Sequence, residues 1–183
     1  MFMSNLILTK DVYLFKALSM MLNYVPADRT VCLIDIESFT SLGAIYRRLQ
    51  RKRLTENHRL IFIGGKDVSS RVLEPLVTIY RKSSFINFRW QLTSGQTYSP
   101  EYALAHIAKC INLHMLTLRE RKALYALRDT DDIRTAANMI SLSPKTIYSY
   151  SRKIGEKLNL DSMLHVRQFI SSELELDTAD LFE

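Results

Sequence analysis

Over the first ninety positions, short dense apolar runs alternate with stretches in which apolar residues recur at helical spacing. The runs at 5–8 (NLIL), 31–36 (VCLIDI), 60–65 (LIFIGG) and 85–88 (FINF) are apolar on both faces, as strands inside a parallel sheet are. The stretches at 12–22 (VYLFKALSMML), 41–54 (SLGAIYRRLQRKRL) and 72–80 (VLEPLVTIY) have helical length. This order predicts a small α/β domain, a parallel sheet with helices on both faces. A loop is expected at 94–100 (SGQTYSP), with Ser99 placed to cap a helix and Pro100 at its first position. That helix should run to about Leu113, either closing the first domain or leading into the second.

From Leu116 the strand signal stops and the pattern is helical. Thr117 and Glu120 have the T-x-x-E spacing in which a hydroxyl and a carboxylate satisfy free N–H groups at a helix start. Ala123, Leu124 and Leu127 supply that helix with an apolar stripe. The polar turn at 128–132 (RDTDD) offers Asp132 as cap of a second helix, with Ala136, Ala137 and Ile140 as its buried positions. Ser143 and Pro144 then open a third helix reaching about Asn159. Ile147, Ile154 and Leu158 fall on one side of it. Lys145, Tyr148, Ser149 and Arg152 recur at i, i+3, i+4 and i+7 on the other, a face of hydrogen-bonding and cationic groups. Two helices joined by a tight turn, the second with such a face, form a helix-turn-helix that fits a DNA major groove. A fourth helix, about 162–172, carries Met163, Val166, Phe169 and Ile170. The expected organisation is thus an α/β domain at 1–113, a helical domain at 114–172 and a tail at 173–183.

Composition narrows the function classes. Hydrophobic residues at 47% and charged residues at 24% provide for a real core, which excludes wholesale disorder. No stretch approaches the roughly 18 apolar residues that span a bilayer, and Lys10 comes too early for a secretory leader, so a cytoplasmic protein without membrane contact is expected. The formal net charge of +6 hides an asymmetry. The last eleven residues hold five acids (Glu173, Glu175, Asp177, Asp180, Glu183) and no base, which leaves +11 on the rest. Such a body suits a polyanionic partner, and the acidic end is either plain solvated tail or a competitor with nucleic acid for the basic surface. Arg47, Arg48, Arg51, Lys52 and Arg53 lie largely on one side of a helix, as a solvated face or an accessory DNA or partner surface. Cys32 and Cys110 are far apart and read as core residues, and the four histidines join no ligand set, so neither a catalytic, a metal nor a cofactor site is expected.

The segment LTLRE (116–120), the small-residue helix after it and LSPKTIYSYSRKIGEKLNL (142–160) resemble the LuxR (NarL/FixJ) type of helix-turn-helix, in register without a gap. The resemblance implies an all-α four-helix DNA-binding domain and a transcription regulator that is not an enzyme. It places Tyr148, Ser149 and Arg152 at base-facing positions and Lys145, Thr146, Tyr150 and Lys153 near phosphates. Arg152 is the expected base contact, through a bidentate pair to guanine. Tyr148 stands where the family usually has Lys and Tyr150 where it has His, so the target sequence is this chain's own. The implied partners are double-stranded DNA, a second regulator in a homodimer or heterodimer, and RNA polymerase. An alternative is a co-regulator that acts mainly by heterodimerising with another LuxR-type protein.

The α/β half resembles, in architecture, the receiver domain of bacterial response regulators, which would make Asp35 the phosphoryl acceptor. The resemblance also calls for an acidic pair after the first strand, a hydroxyl after the fourth and a lysine after the fifth. Here Thr9, Lys10 and Asp11 follow the first run, Gly64 and Gly65 end LIFIGG, and Arg89 and Trp90 follow FINF. Between Tyr24 and Thr30 there is too little chain for the receiver's second strand and helix. The expectation is a degenerate, phosphorylation-independent receiver-like domain serving dimerisation or signal sensing.

Overall fold

The computed structural model describes residues 5–25, 30–52 and 54–174. The chain divides into two compact units between Ala108 and Lys109. In the first, β1 (Leu6–Leu8), β2 (Thr30–Asp35), β3 (His58–Gly64) and β4 (Val77–Tyr80) form, among the described residues, a four-stranded parallel sheet in sequence order. Val31, Leu33, Ile61, Ile63 and Ile79 point to one face, where α1 (Val12–Met21) and α4 (Phe85–Ser94) bury Leu18, Met21, Phe88 and Leu92. Cys32, Ile34, Leu60 and Phe62 point to the other and are equally buried. α2 (Leu42–Arg51) lies on that second face with Leu42, Ile45 and Leu49 buried, and its Ala44 shares a cavity wall with Leu8. Burial on both faces is why the strands read as unbroken apolar runs. Each fully buried Leu or Ile contributes roughly 1.5–3 kcal/mol to holding the layers together.

The strands are parallel and in sequence order, yet α1 and α2 lie on opposite faces. The β1-α1-β2 and β2-α2-β3 crossovers therefore have opposite hands, and one of them departs from the right-handed rule. Removing one strand and helix from between α1 and β2 of a doubly wound sheet leaves this arrangement.

Two stretches differ from the sequence-based expectation. Residues 72–80 hold no long helix: α3 (Val68–Val72) and a 3-10 turn (Glu74–Leu76) lead straight into β4. Pro75 interrupts the helical pattern, and β-branched Val77, Thr78 and Ile79 favour the strand. The FINF run is not a strand but the start of α4. The Ser84 hydroxyl caps it, accepting from the Asn87 N–H at 3.3 Å, and Phe88 and Leu92 meet the sheet at i and i+4.

α5 (Pro100–Ile111) starts at Ser99, whose hydroxyl accepts from the Tyr102 N–H at 3.2 Å, and the division between the units falls inside it. In the second unit α6 (Leu118–Arg128), α7 (Ile133–Met139), α8 (Pro144–Leu158) and α9 (Met163–Leu174) pack around buried Leu124, Leu127, Ala136, Ala137, Ile147, Ile154, Val166 and Phe169. The alanines let α7 approach α8 closely. Ile140, expected in the core, is the half-buried residue that ends α7. Glu173 belongs to α9 and is buried, not part of an acidic tail. The other four tail acids lie outside the described residues, as does Arg53 of the basic cluster. No helix among the described residues is long and apolar enough to cross a membrane.

Candidate nucleic-acid interface

Each helix of the second unit starts on a side-chain cap, so its ends are set by local chemistry. The Thr117 hydroxyl accepts from the Glu120 N–H at 3.3 Å, and the Glu120 carboxylate accepts from the Thr117 N–H at 2.7 Å. Asp132 accepts from the N–H groups of Arg134 and Thr135, both at 2.9 Å, and from the Thr135 hydroxyl. The Thr135 hydroxyl bond and the two N–H bonds pull its carboxyl down to about 2. Ser143 caps α8 by accepting from the Thr146 N–H at 3.1 Å, with Pro144 at the first helical position. The far end of α8 closes on Asn159, in the left-handed conformation at φ 58°, and the Leu160 N–H donates to the Gly155 carbonyl at 2.8 Å. Position 155 requires glycine, because a Cβ there would meet the Leu160 carbonyl oxygen at 2.7 Å.

α8 is thereby held with two distinct sides. Ile147, Ser151, Ile154, Gly155 and Leu158 face inward and are buried. The 3.6-residue period puts Lys145, Ser149 and Arg152 on the outward stripe, all exposed. Exposed Tyr148 flanks this stripe on one side. Exposed Lys153 and half-buried Thr146 and Tyr150 flank it on the other. The Thr146 hydroxyl shares a 2.8 Å hydrogen bond with Ser143 and so helps the cap. Glu156 completes the outward stripe, its carboxylate accepting from Arg152 Nε at 2.9 Å. It is the functional neighbour the sequence analysis passed over, although its i+4 distance from Arg152 is a pairing signal. The Arg152 side chain is 83% exposed, so water screens the pair and the guanidinium is easily released to another acceptor.

A second ion pair ties α8 to the start of α6. Lys157 Nζ donates to the buried Glu120 carboxylate at 2.7 Å. Burial pushes the Glu120 carboxyl up, but the Lys157 ammonium and the Thr117 donors outweigh it and hold the group below its ordinary range. The same carboxylate thus caps one helix and anchors the next.

In the first unit Asp35 ends β2, fully buried. Arg81 grips its carboxylate with two hydrogen bonds, Nε to Oδ1 at 3.0 Å and Nη2 to Oδ2 at 2.6 Å. The hydroxyls of Thr9 (2.7 Å) and Ser38 (2.5 Å) also donate to Oδ2. Arg81 reaches Glu37 at 3.1 Å and Asp11 at 3.6 Å as well. Its hydrogen bonds to Asp35 raise its pKa further, against burial. Arg81 directly follows β4, the last strand, so it takes the place that the sequence analysis gave to Arg89 and Trp90. That assignment moves because FINF is helical. Gly65, where a hydroxyl was sought, donates its N–H to the Ser70 hydroxyl at 2.9 Å, and the Lys66 N–H donates to the Glu37 carboxylate at 3.0 Å. Among the described residues no group of three or more His, Cys, Asp and Glu could hold a metal ion. Burial pushes the Cys32 thiol up to about 12 and the Cys110 thiol up to about 11, so both stay protonated at neutral pH.

The chain matches no protein-family model and no curated protein. Among solved structures it is similar to RcsB in two dimers bound to two parallel DNAs, with a TM-score of 0.63 and 14% identity over 93% of this chain and 98% of that one. RcsB from Salmonella enterica serovar Typhimurium, bound to promoter rprA in the presence of phosphomimetic BeF3-, gives a TM-score of 0.61 at 14% identity, covering 93% and 99%. The two-component response regulator RcsB in complex with DNA gives 0.59 at 14% identity, covering 93% and 98%. This likeness establishes the fold: a receiver-like α/β domain followed by a helical one.

Proposed function

We propose that this chain is a sequence-specific DNA-binding transcription regulator of the LuxR type, in which α7 and α8 form a helix-turn-helix and α8 enters the major groove. The observation that carries the reading is the outward stripe of α8, where Lys145, Ser149 and Arg152 stand exposed on a helix fixed by caps at both ends. The solved relatives of this fold are bound to DNA, one as dimers, which supports the same partner and a dimer here. Arg152 would leave Glu156 for a guanine, Tyr148 and Ser149 would complete the base contacts, and Lys145, Thr146, Tyr150 and Lys153 would meet phosphates. A dimer would read an inverted repeat with half-sites about one helical turn apart. Regulation would not use phosphorylation, since Arg81 already neutralises and encloses the Asp35 carboxylate.

The test is selection of genomic fragments by the purified protein at about 0.15 M salt, followed by sequencing. An enriched inverted repeat that disappears with Arg152→Ala is expected. Affinity for it should fall with salt at a log–log slope of about −0.9 per phosphate contacted. A second reading, the co-regulator that redirects another LuxR-type protein, is favoured by one observation: the proposed base-reading arginine is already paired with a glutamate on the same face. Under it, fragment selection by this protein alone would return nothing above background.

A further inference from the structure

Between α2 and β1, the edge strand among the described residues, lies a cavity of about 460 Å³, a size that suits a small molecule. One wall is the run Ile7, Leu8, Thr9 and Lys10. Another is a single stripe of α2, with Ala44, Arg47, Arg48 and Arg51 at i, i+3, i+4 and i+7. Ser38 and Phe39, which follow β2, join the lining. The place is one where a ligand is expected. α1 leaves β1 for one face of the sheet and α2 leaves β2 for the other, and open α/β sheets bind ligands where the chain parts in this way, at the carboxyl ends of the strands. Folding explains only part of the charge gathered there. The dipole of α2 favours Arg48 and Arg51 in its last turn. Arg47 and Arg48 nevertheless each face Arg51 one turn away, the helix has no acid to relieve them, and Lys10 adds a fourth cation from another element. Among the described residues the side chains of Lys10, Arg48 and Arg51 meet no carboxylate. Asp35, which holds the hydroxyls of Thr9 and Ser38, is already neutralised by Arg81.

We propose that this cavity binds a nucleoside polyphosphate. Guanidinium forks match phosphate oxygens two at a time, and cations arriving from two elements suit a chain of phosphates better than a lone carboxylate. The half-buried Phe39 ring and Ile7 offer a base an apolar surface to stack on, beside the charged stripe. A recess of this volume admits a small molecule and not a duplex, so the site does not repeat the work of α8. Nor does it repeat phosphoryl transfer to Asp35, since the ligand is held and no bond in it is broken. The inference goes beyond the proposed function and does not rest on it: it gives the first unit a signal of its own to sense.

The experiment is calorimetric titration of the full chain with ATP, GTP and inorganic tripolyphosphate, at about 0.15 M salt and without DNA. At least one of the two nucleotides should bind with a dissociation constant below about 100 μM. Arg48→Ala with Arg51→Ala should weaken that binding roughly tenfold or more. Phe39→Leu should weaken the nucleotide and leave tripolyphosphate unchanged. Lys16→Ala, at an exposed position of α1 across the sheet, should change neither, and nor should Arg152→Ala. Melting temperatures without ligand that match the wild type would show that the variants fold. Absence of saturable binding by both nucleotides up to about 1 mM overturns the proposal. So does nucleotide binding that survives the double arginine variant, or that is lost with Arg152→Ala and so belongs to α8. A double variant that loses affinity only for duplex DNA overturns it too, and makes α2 an accessory DNA surface. Nucleotide affinity unchanged by Phe39→Leu overturns the nucleoside and leaves a site for bare polyphosphate. Because heat is read without DNA, each result is separate from that of fragment selection, and failure here leaves the reading of α8 intact.

Discussion

Arg81 decides what the first unit does with its central aspartate. An isolated buried carboxylate is costly, and the fold meets that cost by giving Asp35 a bidentate guanidinium and two hydroxyls. Removing the arginine leaves a buried charge with only hydroxyl donors. Arg81→Ala should therefore destabilise the protein by about 2–4 kcal/mol, read as a lower urea midpoint. Arg81→Lys, a point charge without the fork, should recover only part of the loss. An arginine that merely decorates the surface would give no change in midpoint. The pair spans 46 positions along the chain, so neither partner announces the other. Asp35 was recognisable from its place at a strand end. Its partner could be found only once the last strand was known to stop at Tyr80.

The elements themselves were legible where their ends are set locally. Thr117 with Glu120, Asp132, and Ser143 with Pro144 each signal a helix start within four residues, and each caps as the spacing predicts. At 72–80 and 85–88 the structure departs from the expected pattern because short apolar runs have no period to distinguish strand from helix. Ser84 before Phe85 and Pro75 before Val77 were the local signs that decided them. Glu120 shows how elements are coupled, since one carboxylate both caps α6 and holds Lys157 of α8. Glu120→Gln should cost about 1–2 kcal/mol at pH 7, a figure held down because Lys157 is 36% exposed and partly screened. The folded-state pKa is depressed, so this contribution is complete above the ordinary carboxylate range and is lost as pH falls through the folded value. Chemical-denaturation curves of both proteins at pH 7 and at successively lower pH should thus converge in acid; a constant gap would count against the coupling.

For the whole molecule the charge distribution matters more than its sum. The acids at Glu175, Asp177, Asp180 and Glu183 are set against a strongly basic body. Ending the chain at Leu174 removes these four carboxylates and takes the formal charge from +6 to +10. Such a truncation should tighten non-specific DNA binding, most at low salt, with the difference shrinking as the Debye length falls. Fluorescence titrations of an unrelated duplex from 50 to 300 mM salt would show it, and equal affinities at 50 mM would mean that the segment does not compete. At this scale α8 has a consequence for how such proteins diversify. Ile147, Ser151, Ile154, Gly155 and Leu158 are buried and answer to the fold, whereas Lys145, Ser149, Arg152 and Glu156 are exposed. Under the proposed function, substitutions in the second group should change the DNA sequence preferred while the melting temperature stays put. If α8 reads DNA as proposed, scaffold and reading face would be free to change independently, in keeping with an architecture shared at 14% identity.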